Sequence, residues 1–404
     1  MVTYPKDWDV VALGTKCDIT SSKRVFEREW TKSGIPFLRT RDIASFHSGE
    51  EQKDKLFISE NTYLEKVASS GEPHKGDLLV TGVGTIGLPY LIDTDNRIYF
   101  KDGNILWIKK SNSFVPQWLY LQFLSKEIQK QITDNSGFTT VGTFTIQNAK
   151  KLSIPKPSVS EQTAIAETLS TFDTYINDLA SLIEKKRGIR DGALEDLIHG
   201  RTRLDGFNDE WNETTIGSCA DILQGGTPST ANTNYWNGDI VWVTPSEITK
   251  LKGMFIGDSE RKISKSGLQN SSAQILPVGA ILLCSRATIG ELAIAEKPMA
   301  TNQGFKNLVC RDGIDNIFMA YLLLTLKEVL ISKAIGTTFL EISKTALEKI
   351  KIEIPKFCEQ QVIAKVLTEM DEEISALEAE RDKMIKIREG AMDDLLTGRV
   401  RLSV

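Results

Sequence analysis

Between residues 165 and 183 the apolar side chains fall at Ile165, Leu169, Phe172, Ile176, Leu179 and Ile183, in alternating steps of four and three. That is the spacing of a helix packed along a single seam. The same series returns 198 residues later as Ile363, Leu367, Met370, Ile374 and Leu377. The register holds without a gap over Glu161 to Leu204 and Glu359 to Leu402, with 19 identities in 44 aligned pairs. In both copies the seam turns polar before its end, through Lys186 and Arg190 or Arg381 and Arg388. Pro157 and the serines after it mark a start, and Gly200 and Gly398 stand where a left-handed C-terminal cap belongs. Two helices of about 40 residues are predicted, each on the order of 60 Å long at about 1.5 Å per residue. Two copies in one chain favour an intramolecular antiparallel coiled coil. Val362, Val366, Ile385, Ile387 and Met392 are left as spare apolar surface for a partner.

Outside the helices the period shifts toward two. Residues 35–43 read as a strand leaving into a polar loop; 76–80, 103–108 and 152–154 read as further strands, and 118–132 as a helix. A weaker repeat links these to the region after the first helix. Trp8, Gly14, Asp18 and Ile19 match Trp211, Gly217, Asp221 and Ile222 at an offset of 203, and Gly76, Thr85, Ile86 and Gly87 match Gly279, Thr288, Ile289 and Gly290. Ile154-Pro155-Lys156 matches Ile354-Pro355-Lys356 at an offset of 200. Shared positions are glycines, prolines and apolar residues, while the loops differ. The predicted fold is α+β: two similar mixed α/β domains (1–158 and 205–357) separated by two long antiparallel helices (159–204 and 358–404), related by a pseudo-two-fold repeat. If the axis is real, the link from Leu204 to Trp211 has its counterpart between Leu402 and Trp8, and the two ends lie within about 25 Å, the reach of seven extended residues.

Five scattered cysteines with no C-x-x-C pair argue against a disulfide framework or a zinc site and suit a reducing cytoplasm. The first residues are charged and broken by proline, unlike a secretory signal, and the longest apolar stretch is too short to span a membrane. The net charge is −5, but residues 159–204 and 357–404 carry 13 Lys and Arg against 19 Asp and Glu, whereas the rest carry 36 against 35. The globular regions are therefore near neutral, and any DNA affinity must be local or shared with a basic partner.

Gly82-Val83-Gly84-Thr85-Ile86-Gly87 matches the dinucleotide fingerprint literally. The strand-like Leu88-Pro89-Tyr90-Leu91-Ile92 follows it instead of a helix, so a turn between strands is predicted. There is no Walker A loop, no H-E-x-x-H, no G-x-S-x-G and no Asn/Asp-Pro-Pro-aromatic run, and the three histidines are far apart. No catalytic residue, metal site or cofactor is expected.

Gly225-Gly226-Thr227-Pro228-Ser229, Tyr235 to Trp242, Gly279 to Gly290 and Asn302-Gln303-Gly304 occur in this order. Both Ile-Pro-Lys runs lead into Glu-Gln-x-x-Ile-Ala, and both helices end in Leu-x-x-Gly-Arg-x-Arg-Leu. In these motifs nearly the whole chain resembles the specificity subunit of type I restriction–modification enzymes. The first region departs from the pattern, with Thr20-Ser21-Ser22-Lys23 in place of Gly-Gly-Thr-Pro-Ser. The resemblance implies a non-catalytic, cytoplasmic DNA reader. Each globular region would be a target-recognition domain for one half of a bipartite, asymmetric double-stranded DNA site. The helices would set the spacing and dock two methyltransferase (modification) subunits, and a motor–nuclease (restriction) subunit would complete the enzyme. Candidate DNA-binding residues are Arg39, Arg41, Lys101, Asn104, Thr139 and Thr140 in the first region, and Thr227, Ser229, Ser285, Arg286, Asn302, Gln303, Thr337 and Thr338 in the second. Arg and Lys suit guanine edges, Asn and Gln adenine, and hydroxyls phosphate oxygens. Ile165, Leu169, Phe172, Ile176, Leu179, Ile363, Leu367, Met370, Ile374 and Leu377 are the expected helix–helix and partner interface. The competing readings are an enzyme of unrecognised kind, a coiled-coil scaffold that binds proteins rather than DNA, and a specificity subunit of a related modification system without the nuclease.

Overall fold

The computed structural model describes residues 3–48, 54–135, 142–336 and 340–403. The chain divides into two compact units, Met1–Asp178 with Arg381–Val404, and Leu179–Glu380. Each unit holds one globular region and a stretch of both long helices, which run over Val159–Ile198 and Phe357–Leu395.

In the first unit an antiparallel sheet runs in the order Ile19–Thr20, Ile105–Ile108, Leu78–Thr81, Pro89–Leu91. A second sheet runs Trp30–Thr31, Phe57–Ile58, Ile35–Leu38, Tyr99–Phe100, its last pair parallel. The second unit repeats the plan: Ala220–Gln224, Phe305–Cys310, Ile281–Cys284 and Leu292–Ala295 form the first order, with Phe255–Ile256 added at the edge. Trp236–Val243 lies parallel to Ala300–Thr301 as Ile35–Leu38 does to Tyr99–Phe100. Each region is closed by a two-stranded antiparallel ribbon of its first and last strands, Asp9–Ala12 with Ser153–Lys156 and Asn212–Thr215 with Lys351–Ile354. The ribbon delivers the chain into the helix. Beside it, Gly14 and Gly217 pass so close to Lys150 and Glu348 that an added Cβ would lie 2.6 and 2.8 Å from their side chains.

The helices are held in each unit by the same residues. Arg190 grips Asp371 (Nε–Oδ1 2.7 Å) and Arg388 grips Asp173 (Nε–Oδ1 2.6 Å). These are equivalent pairs, since Arg190 aligns with Arg388 and Asp173 with Asp371. In the second unit Lys186 meets Glu373 and Arg203 meets Glu359; partner numbers fall as the first helix advances, so the segments are antiparallel. Tyr321 donates to Asp371 at 2.7 Å; burial first, then that carboxylate, pushes its phenol up. Tyr120 is raised by burial and by Asp173 in the same way. The start of each helix is clamped by a buried Glu-Gln. Gln162 accepts the Val115 amide and donates to Pro157, and Gln360 accepts the Asp315 amide and donates to Pro355. Glu161 binds Arg401, which also reaches Asp7; Glu359 binds Arg203. Arg401 and Arg203 lie over the rings of Trp8 and Trp211. Arg401 and Asp7 meet at 2.8 Å, so the two ends of the described chain are in contact. Gly200 and Gly398, at φ 63° and 72°, turn the chain out of each helix.

Four sequence expectations are corrected. The strand expected over 35–43 ends at Leu38, and residues 40–43 open a helix, Thr40–Ser48, in place of the strand's end and the polar loop after it. Asp42 accepts the Arg39 amide at 2.8 Å and caps that helix, which the local pattern did not signal. The helix expected over 118–132 is two, Pro116–Leu124 and Lys126–Asn135, broken at Ser125. The seam is not uniform. Ile165 and Leu169 are sealed among Trp118, Leu119, Phe123, Met392 and Leu395, and Ile363 and Leu367 among Phe318, Tyr321, Leu194 and Leu197, so the helix starts belong to the domain cores. Leu179 is buried too, whereas Phe172, Ile176, Met370, Ile374 and Leu377 are half-buried. Lastly, Met392 and Val366 pack inside and are not spare surface; Val362, Ile385 and Ile387 stay exposed.

Candidate nucleic-acid interface

Gly82–Gly87 closes a hairpin between paired strands: the Gly87 amide returns to Thr81 O at 2.7 Å, and Thr81 Oγ1 accepts the Leu88 amide at 2.9 Å. It is a turn, and it is one of several loops that converge at one end of each globular region. In the first region the Gly82 amide donates to Asn104 O (2.7 Å), the Phe144 amide to Gly82 O (2.9 Å) and the Lys101 amide to Leu38 O (2.9 Å). In the second, Ser285 donates to Gly304 O (2.8 Å), Ile342 to Ser285 O (3.0 Å) and Asn302 to Val243 O (3.1 Å). These are equivalent bonds. The capping carboxylates match as well: Asp42 accepts the Arg39 amide and Glu247 the Thr244 amide, both at 2.8 Å. A fixed set of backbone bonds thus holds four loops together in both regions and leaves their side chains free to differ.

The candidate residues fall on this cluster, in unequal states. Arg41 is well exposed, 3.8 Å from Asp54. Arg39 is not free: its guanidinium binds Asp42 in a fork (2.8 and 2.9 Å) and donates to Asp54 O at 2.7 Å. It ties two loops as Glu247 does when it accepts the Glu260 amide. Lys101 and Asn104 are half-buried on the loop before Ile105. In the second region Thr227 donates to the exposed Gln303, and Ser229 is exposed with its carbonyl accepting from Trp236. Asn302 is turned inward to cap the Gly304 amide at 2.8 Å. Ser285 is fully buried, donating to Gly304 O at 3.0 Å. Arg286 is half-exposed and bound to Glu341 at 2.9 Å, a carboxylate shared with the buried Lys306 at 3.0 Å. Burial opposes ionisation of Glu341, but Lys306 and Arg286 outweigh it and hold the carboxyl below its ordinary range. Thr139, Thr140, Thr337 and Thr338 lie outside the described residues, in segments that lead to Phe144 and Ile342.

Two groups escape the sequence reading. Arg261 stacks on Trp236, 3.8 Å from its ring centroid, beside the Gly225–Ser229 loop. Exposed Arg24 and Phe26 occupy the first region's counterpart of that loop, which the offset of 203 would have located, and exposed Arg28 follows two residues on. All five cysteines are free, and among the described residues no cluster of His, Cys, Asp and Glu could hold a metal. No helix of the described residues is long and apolar enough to cross a membrane.

The family model described as "Type I restriction modification DNA specificity domain" matches twice, over residues 5–186 and 208–386. The MjaIX specificity subunit of Methanocaldococcus jannaschii is 37% identical over 180 residues, 44% of this chain but only 42% of that relative's length. The putative MjaX specificity subunit of the same organism is 23% identical over 98% of this chain and 95% of its own. Among solved structures, the HsdS subunit of Thermoanaerobacter tengcongensis superposes with a TM-score of 0.55 at 18% identity, over 98% of both chains. A chain from a structure titled for complex assembly and conformational transition of the type I R-M system superposes with a TM-score of 0.62 at 16% identity, over 99% of this chain and 100% of that one. With both globular regions matched, the chain belongs to the type I restriction–modification DNA specificity family.

Proposed function

We propose that each globular region is a target-recognition domain reading one half of a bipartite double-stranded DNA site, and that the chain itself carries no catalysis. One observation carries this reading: the same backbone bonds assemble the same loop cluster in both regions, while the residues on the loops differ. A scaffold shared with different tips suits two readers of different sequences. The helices act as the spacer, and their exposed apolar positions Val362, Ile385 and Ile387, with Tyr175 and Ile189, are where methyltransferase subunits dock. Those subunits bring the S-adenosylmethionine chemistry for which this chain has no motif, and a motor–nuclease subunit completes the restriction enzyme. The whole works in the cytoplasm. Because the globular regions carry nearly equal numbers of acidic and basic residues, affinity rests on a few loop cations and on charge brought by partners.

The test is methylation profiling over a randomised duplex by the chain combined with its methyltransferase subunit. Arg286→Ala and Gln303→Ala should relax one half-site only, and Arg41→Ala and Lys101→Ala the other. A lost bidentate base contact is worth roughly 1–3 kcal/mol at one position, and a lost phosphate contact weakens all sequences alike. Changes in both half-sites from one substitution, or methylation without sequence preference, would sink the reading.

A further inference from the structure

The first globular region carries a recognition element that its partner region lacks. Aligned at the offset of 203, Ser22-Lys23-Arg24-Val25-Phe26, and not Thr20-Ser21-Ser22-Lys23, stands where the second region has Gly225-Gly226-Thr227-Pro228-Ser229. The anchors of the two loops correspond. Val25 and Pro228 are both buried; Ser22 donates to Phe100 O at 2.6 Å, and the Gly226 amide to Thr301 O at 2.9 Å. The tips do not correspond. The second loop holds no charge, whereas the first presents Phe26, 47% exposed, with the guanidinium carbons of Arg24 and Arg28 at 5.5 and 5.1 Å from its ring centroid.

This exposure is built rather than incidental. The Lys23 amide donates to Tyr99 Oη at 2.9 Å, and the Phe26 amide to Glu29 at 2.7 Å. Glu29 in turn binds Lys66 at 3.1 Å. That amide, and Lys66 after it, hold the Glu29 carboxyl below its ordinary range. Backbone bonds on both sides of Val25 thus fix the chain where the ring of Phe26 stands exposed. Glu29 is paired with Lys66, which also meets Glu65 at 3.0 Å, and along residues 23–29 Lys23, Arg24 and Arg28 stand against Glu27 and that already paired Glu29. An exposed aromatic ring with two guanidinium groups beside it fits a polyanion with stacked planar faces. Phe26 also stands four residues from Ser22, which is bonded to Phe100 O beside Lys101 of the loop cluster, at most about 14 Å of extended chain away.

We propose that Phe26 is a wedge that enters the stack of the first half-site, with Arg24 and Arg28 on the flanking phosphates. The first half-site is then read partly by how easily one base step opens, and the second only by contacts to base edges. The inference rests on the DNA-reading function above and adds a residue-level mechanism to one half of it. Wedges of this kind pay for unstacking with a bent duplex that meets more protein surface.

The test uses the full chain with its methyltransferase subunit and a duplex of about 30 base pairs carrying the sequence that methylation profiling reveals. Phe26→Ala should weaken binding roughly 5- to 100-fold, the range for losing one base–aromatic stack. It should leave the salt dependence unchanged, and the difference should vanish when the first half-site is scrambled. Phe26→Trp should keep binding. Arg24→Gln and Arg28→Gln should each lower the salt slope by about one, whatever the sequence. 2-Aminopurine placed at successive steps of the first half-site should brighten at one step with the wild-type chain and not with Phe26→Ala. Phe26→Ala binding within twofold of wild type, or a loss that tracks the second half-site, overturns the wedge. If Arg261→Ala and Arg286→Ala still alter the second half-site in that case, the two-reader function stands without it. A wild-type complex with no sequence preference sinks both.

Discussion

Leu367 and Ile374 occupy the same predicted seam, yet the structure gives them different energies. Leu367 is fully buried among Phe318, Tyr321, Leu194 and Leu197 of its own unit. Ile374, two helical turns on, is only half-buried. Truncating a sealed leucine removes its transfer free energy and leaves a cavity whose walls relax incompletely, so Leu367→Ala should cost about 2–5 kcal/mol. Ile374→Ala loses part of the transfer term and opens no closed cavity; about 1 kcal/mol is expected. The repeat predicts the same contrast for Leu169→Ala against Ile176→Ala in the other unit. A single melting temperature would blur this, because two units need not unfold together. Hydrogen exchange followed by mass spectrometry separates them. In Leu367→Ala the strands Ile281–Cys284 and Phe305–Cys310 should exchange roughly 30-fold faster or more, and Leu78–Thr81 should not change. The order should reverse for Leu169→Ala. If Ile374→Ala proves as damaging as Leu367→Ala, or Leu367→Ala loosens both units equally, the placement of the helix starts in the domain cores is wrong.

Arg203→Ala strips Glu359, 2% exposed, of its bidentate partner. A loss of roughly 1–3 kcal/mol is expected in denaturant melts, and Arg203→Leu with Glu359→Leu should recover most of it. Burial pushes the Cys284 thiol up from 9.0 to about 11 and that of Cys310 to about 12. Both thiols are neutral in the folded and unfolded chain below pH 9, so their contribution is complete there and falls as pH rises through 9 to 12; Cys284→Ala should flatten that alkaline loss in pH-dependent unfolding. Since Arg401 meets Asp7, a chain whose ends are joined by a short linker and which is reopened between Leu204 and Trp211 should melt like the parent; collapse of the fold would refute the equivalence of the two helix exits.

The repeat was legible because apolar spacing and capping glycines have roles that do not depend on distant partners, and because the Glu-Gln and Arg that lock each helix start recur in both copies at one fixed offset. What escaped notice depends on long-range geometry. Nothing local in Arg39-Thr40-Arg41-Asp42 announces a helix, because Asp42 caps it by reaching back to the Arg39 amide while the Arg39 side chain ties down Asp54. For the same reason Arg39 looked like a free cation in the sequence, and Ser285 like an exposed hydroxyl. Its burial follows from the crossing of the 285–290 and 302–304 loops, residues 19 apart joined at 3.0 Å. Arg261 was invisible because its partner Trp236 lies across a strand pair, with no spacing to betray it.

The distribution of charge gives the architecture its logic. A reader with a broad basic surface would hold any duplex, and its discrimination would be swamped by phosphate attraction. Here acidic excess lies on the helices, the globular regions are close to neutral, and two candidate loop cations are already bound: Arg39 to Asp42 and Arg286 to Glu341, a carboxylate it shares with the buried strand residue Lys306. On the proposed reading, Arg39 and Arg286 each exchange an intramolecular carboxylate for DNA, or stay in place and shape the loop. In both cases the gain on a wrong sequence is small. On that reading, discrimination depends on the few tips that differ between otherwise equivalent loop clusters, and those tips can change without touching the bonds that hold the fold.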